Sequence, residues 1–191
     1  MNLPNKLTLL RVFLIPVFLV FLCIPLPLPD AVCRICAAFV FLLASLTDMI
    51  DGKIARKYHL VTDFGKLMDP LADKCMVISA IIALILYCKS LQYVLVWAAV
   101  IVVLRELAVT SLRLLAASKG GEVIAAAWLG KVKTTLQIVS VMTVLLEPVL
   151  FPFPFFRTYT PLSYLTLAAM SVMTVWSGTD YFLSYGKYLK G

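Results

Sequence analysis

The sequence predicts an all-α protein of six membrane-spanning helices. Three observations carry that expectation. Of its 191 residues, 62% are hydrophobic and only 14% charged, which is too apolar for a soluble domain. The apolar residues come in runs long enough for a helix to cross the hydrocarbon core. Short clusters of proline, glycine and charge separate the runs, as in Pro25-Leu26-Pro27-Leu28-Pro29-Asp30. A single membrane domain over 1–191 is expected, with no appended soluble module.

The spans are expected at about 7–25, 31–57, 63–88, 92–117, 123–146 and 161–185. The first follows a polar head in which Asn5 or Thr8 is placed to cap a helix. It lacks a small-residue cleavage site and is read as a retained span. The second leads into an acidic segment, and Tyr58 to Thr62 form a turn. Thr62 or Asp63 can cap the third, which contains Pro70. Membrane helices tolerate such a proline where neighbours satisfy the freed carbonyl. Lys89-Ser90-Leu91-Gln92 divides the third span from the fourth, and Ser118 to Glu122 form the next loop. Glu147 to Thr160, rich in Pro and Phe, reads as a loop at a membrane surface. The last span ends in Tyr181, Tyr185 and Tyr188, expected as an interfacial aromatic belt. No internal repeat is apparent.

The net charge of +7 comes from basic residues interspersed at segment ends. That pattern points to anionic lipid and phosphate substrates as partners rather than nucleic acid. With the amino terminus inside, only Arg34, Lys89 and Arg157 of the 17 basic residues fall on the outer side. The asymmetry places both termini, and the acidic segment, on the cytoplasmic side of the cell membrane. The five cysteines are odd in number, and Cys33-x2-Cys36 has no second pair or nearby histidine, so packing is expected rather than zinc.

The acidic segment is Asp48-x2-Asp51-Gly52-x2-Ala55-Arg56-x8-Gly65-x3-Asp69-x3-Asp73. Spacings of three and four put each aspartate pair on one helix face, so a helical hairpin would set two carboxylates against two. Two unit charges about 4 Å apart repel by roughly 4 kcal/mol at an effective dielectric near 20. Such a cluster therefore needs protons, neighbouring cations or a bound ion. Lys53, Arg56, Lys66 and Lys74 supply some charge. All-oxygen ligation suits a hard divalent ion better, and a solvated loop of scattered charges would not pair carboxylates at two helical spacings.

This segment resembles the signature of the CDP-alcohol phosphotransferase family, with eight fixed residues over 26 positions and every gap of the family length. The resemblance implies transfer of a phosphatidyl group from a CDP-linked lipid to an alcohol, with CMP leaving. It implies metal ligation by Asp48, Asp51 and Asp69, most simply of Mg2+ or Mn2+. Asp73 would be general base and a further metal ligand. Gly52, Ala55 and Gly65 would let the nucleotide approach, and Arg56 would hold phosphate. A homodimer is also implied.

The run Pro4-Asn5-x-Leu7-Thr8-x2-Arg11 is similar to the start of the glycerol 3-phosphate-using branch of that family, making Thr8 a candidate nucleotide contact as well as a candidate cap. In the fourth and fifth spans, Arg105, Arg113 and Lys133 form a candidate site for an anionic acceptor. Arg113, seven residues from Glu106 on nearly one face, could instead pair with it. Lys131 and Lys133 should point to opposite sides of their helix, only one reaching the pocket. CDP-diacylglycerol and glycerol 3-phosphate are the expected substrates. The nearest rival acceptor is inositol phosphate. A cation transporter is the remote alternative, which Gly52 and Ala55-Arg56 do not serve.

Overall fold

The computed structural model describes the backbone of residues 3–57, 63–118 and 128–189. Side chains at 3, 4, 49, 51–57, 63, 64, 66, 67, 117 and 186–189 lie outside the described residues. Among the described residues the secondary structure is entirely helical. The elements are α1 (Leu3–Cys23), α2 (Asp30–Lys57), α3 (Asp63–Tyr87), α4 (Gln92–Ser118), α5 (Trp128–Leu150), α6 (Pro154–Tyr159) and α7 (Pro161–Leu189). A 3₁₀ turn at Lys89–Leu91 joins α3 to α4, where the sequence predicts a break.

Five of the six long helices are apolar and long enough to cross a membrane. The sixth, α7, has 29 residues but is diluted by serine and threonine, several of which it buries. The chain is a polytopic membrane protein. In the bundle α1 packs on α2 and α3, α3 on α4, α2 on α5, and α7 on both α4 and α5. Alanines at 37, 38, 44, 80 and 83 are all buried in the main core. Small side chains let helix axes approach where lipid supplies no hydrophobic drive to pack. Phe18 of α1 meets Phe41 of α2 in that core, ring centroids 5.8 Å apart.

Three local expectations are corrected. Helix α1 begins at Leu3, so Asn5 and Thr8 are interior residues and neither caps it. With Arg11 they repeat every three residues and are all buried, forming a polar stripe turned into the bundle. Next, α5 runs past Glu147 to Leu150 with Pro148 inside it, and α6 occupies part of the expected loop. Pro154 starts α6 and Pro161 starts α7, positions where the missing N–H is no loss. Finally, Tyr181 and Tyr185 are not a surface belt: both are buried and stacked on each other at 5.8 Å. Tyr188 lies outside the described side chains.

Glu147 is 2% exposed and explains the start of α7. Its carboxylate accepts from the backbone N–H of Leu162 at 2.9 Å and of Ser163 at 2.7 Å, and from the Ser163 hydroxyl at 2.5 Å. It thereby satisfies donors at a helix N-terminus, where negative charge is favoured. Glu147→Ala strands those buried donors and should cost about 2–3 kcal/mol. A thermal melt in detergent should fall by several degrees, and less for Glu147→Gln, which keeps one acceptor oxygen.

Candidate active site

At one end of the bundle, α2, α3, α4, α5 and α7 enclose a cavity of about 690 Å³. Asp48 comes from the last turns of α2, and Asp69 and Asp73 from the first turns of α3. Arg105 and Arg113 come from α4, and Lys131 and Lys133 from the first turns of α5. The cavity thus has an acidic wall from α2–α3 and a basic wall from α4–α5. Ionisable groups on membrane helices gather where they share water and one another.

The acidic wall is fixed from α1. A nitrogen of the fully buried Arg11 guanidinium lies 2.8 Å from Asp48 Oδ1. The buried Thr8 hydroxyl donates to Asp69 Oδ1 at 2.5 Å. The polar stripe of α1 therefore orients one carboxylate on each arm of the hairpin. Sequence reasoning gave Arg11 no role, although its spacing from Asn5 and Thr8 was the available signal. Among the described residues, no three Asp, Glu, His or Cys side chains come close enough to close a metal cage. Asp51, Gly52, Ala55 and Arg56 lie outside the described side chains. Gly65 is buried in α3. The donor set nonetheless fits a hard divalent ion, because magnesium characteristically takes one or two carboxylates and completes its shell with water and substrate phosphates.

The basic wall is organised by Glu106 and α7. Glu106 accepts from Lys133 Nζ and lies 3.2 Å from Arg105 Nη1. It therefore engages Arg105 and Lys133, and Arg113 is left to another support. Arg105 Nη2 donates to Ser177 Oγ at 2.7 Å. The guanidinium carbons of Arg105 and Arg113 stand 5.5 and 5.9 Å from the centroid of the Tyr181 ring. Gly178 completes the fit, since a Cβ there would lie 3.2 Å from Arg105 Cγ. Both arginines keep a buried Nε with no hydrogen-bond partner among the described residues. Ser177, Gly178 and Tyr181 went unrecognised in the sequence, because their partners are about 70 residues away on α4.

Lys131 and Lys133 both line the cavity. Two residues rotate about 200° around a helix, so one was expected to turn away. Lys131 is exposed and Lys133 buried, so the expected difference shows in their burial and not in which of them lines the cavity.

A profile of the CDP-alcohol phosphatidyltransferase family matches residues 1–181. The chain belongs to the CDP-alcohol phosphatidyltransferase family. Its relatives include the CDP-diacylglycerol--glycerol-3-phosphate 3-phosphatidyltransferase of Bacillus subtilis (strain 168), 41% identical over 99% of this chain and 97% of the relative. Proteins of the same name from Yersinia enterocolitica and Pectobacterium atrosepticum are 36% and 34% identical. Those matches cover 95% and 94% of this chain, and 93% and 92% of the relatives. In this family member the cavity sets carboxylates on one wall against cations on the other.

Proposed function

We propose that this phosphatidyltransferase moves the phosphatidyl group of CDP-diacylglycerol to glycerol 3-phosphate, making it a phosphatidylglycerophosphate synthase. The observation that carries the reading is the two-walled cavity, with carboxylates on one side and, among the described residues, unpartnered arginine donors on the other. The names of its relatives support the same reaction.

Asp48, Asp51, Asp69 and Asp73 would hold a divalent ion, Mg2+ or Mn2+. When bound, the ion neutralises charge on the diphosphate as the link to CMP breaks. Thr8 and Arg11 act before any substrate arrives, by holding Asp69 and Asp48 in place. Gly52, Ala55 and Gly65 present little side chain, so the nucleotide can approach the hairpin, and Arg56 supplies donors to phosphate. Asp73 takes the proton of the attacking glycerol hydroxyl. The new bond joins that oxygen to the phosphatidyl phosphorus, and the bond from this phosphorus to the CMP oxygen breaks. Arg105, Arg113 and Lys133 receive the acceptor's phosphate, and Glu106 keeps Lys133 and Arg105 together between turnovers.

The distribution of basic residues supports six crossing helices, with both termini and the cavity on the cytoplasmic side. The resemblance also favours a homodimer. The reaction is tested by an acceptor screen with CDP-diacylglycerol, following CMP release. Glycerol 3-phosphate should be preferred at least tenfold over inositol phosphate and serine, and a preference for inositol phosphate would reassign the acceptor.

Ser177→Ala offers a finer test of the basic wall. It removes the hydroxyl held by Arg105, worth about 1.5 kcal/mol for a bond to a charged group. The KM for glycerol 3-phosphate should rise about tenfold, with little change in the KM for CDP-diacylglycerol. Equal changes in both would remove Ser177 from acceptor binding.

A further inference from the structure

The opposite end of the bundle holds a second polar cavity of about 170 Å³, lined in part by Asp30, Arg34, Tyr87, Lys89, Arg157 and Thr160. It gathers the three basic residues that the charge asymmetry sets apart from the rest. We propose that this cavity binds the phosphate of an anionic membrane lipid.

Arg34 forms its floor and is held from several sides. Its Nε donates to Asp30 Oδ2 at 2.7 Å, and its Nη1 to the carbonyl of Val144 at 3.3 Å. The guanidinium carbon lies 4.9 Å from the centroid of the Tyr87 ring. The Tyr87 hydroxyl donates to the other oxygen of Asp30. Both oxygens of Asp30 are thus engaged, and its charge is offset by Arg34. Glu147, the other acid at this end, is buried and engaged with the start of α7. Lys89 and Arg157 are exposed on the cavity wall, with no ion pair to an acid among the described residues. An unbalanced pair of cations around an arginine floor is a site for a phosphate-sized anion.

A separate observation points the same way. Thr160 is 4% exposed, and its hydroxyl is the one buried side-chain hydroxyl without a hydrogen-bond partner among the described residues. Thr160 also has a φ of 39°, a left-handed conformation unusual for a β-branched residue. That φ is the left-handed C-cap of α6, whose N–H bonds the Phe156 carbonyl, and it is the orphaned hydroxyl that marks a ligand site.

The surroundings favour a lipid over a free ion. Phe153, Phe155 and Tyr159, on and beside α6, are all exposed next to the cavity. Of these, Tyr159 has the amphipathic ring that settles at the membrane–water interface. The cavity therefore lies at the depth of lipid phosphates, and basic pockets between helix ends are suited to such headgroups. This inference rests on membrane embedding and not on the reaction.

The test uses the full-length protein in neutral detergent and native mass spectrometry with dioctanoyl phosphatidic acid. An adduct should survive in Arg105→Ala/Arg113→Ala, which disables the catalytic cavity. The same adduct should be at least tenfold weaker in Lys89→Gln/Arg157→Gln, with its CMP release unchanged. Both substituted positions are exposed, and Arg157→Gln alone provides a second reading if the double variant melts early. Equal adducts in the Lys89 and Arg157 variants would overturn the site. Equal binding of dioctanoyl phosphatidylcholine would overturn anion recognition. Competition by inorganic phosphate at the same concentration would overturn a lipid occupant in favour of a free anion.

Discussion

Asp73→Asn should bind CDP-diacylglycerol normally and lose at least about a hundredfold in turnover, the usual contribution of a positioned general base. Asparagine keeps the size of the side chain and one acceptor oxygen but cannot take a proton. Asp73 lines the cavity between the two walls, so the substitution changes chemistry where both substrates meet. Among the described residues it makes no close ion pair or hydrogen bond to α1 like those of Asp48 and Asp69, although the Arg11 charge reaches it. Packing should therefore be little disturbed, and the melting curve should stay close to wild type. Lipid-nucleotide binding and single-turnover CMP release, measured together, separate the two effects. A near-normal rate with normal binding would remove Asp73 as the base.

Exhaustive chelation should abolish turnover, and added Mg2+ or Mn2+ should restore it. The reasoning is electrostatic. A diphosphate entering the cavity meets Asp48, Asp69 and Asp73, and like charges about 4 Å apart cost several kcal/mol each at a protein-like dielectric. Arg11 offsets part of the charge on Asp48 but lies behind it, buried in the bundle. On the far wall, Lys133 and Arg105 are engaged by Glu106, and Arg105 also by Ser177. A divalent ion held by these carboxylates would supply the charge that offsets this conflict. Calcium should bind without supporting comparable rates, because its looser shell holds the reacting oxygens less rigidly.

The all-α membrane character was legible because span length and hydrophobicity are local properties. The shared face of Asp69 and Asp73 was legible for a related reason: a spacing of four reports the helix face without knowledge of the rest, and both line the cavity. The break at Lys89–Leu91 was equally local. What stayed hidden was reciprocal. Arg11 stood in the sequence only as the end of the Pro4–Arg11 run, and only the packing of α1 on α2 reveals it as the partner of Asp48. Tyr181 and Tyr185 carried the composition of a surface belt, yet α7 turns both inward, Tyr181 beneath two arginines and Tyr185 stacked on it. Glu147 sat among proline and phenylalanine and resembled a loop residue until its bonds to Leu162 and Ser163 placed it under α7. In each instance the deciding contact joins residues on different elements, which no periodicity within one helix can express.

The central claim is that aspartates from α2 and α3 gather cations at one end of the bundle. Manganese titration followed by electron paramagnetic resonance, with CDP-diacylglycerol present, tests it most directly. Wild-type protein should take up the ion stoichiometrically, and Asp48→Asn/Asp69→Asn should bind it at least about thirtyfold more weakly, as loss of charged ligands implies. Unchanged manganese uptake in that double variant, while it remains folded, would contradict the account.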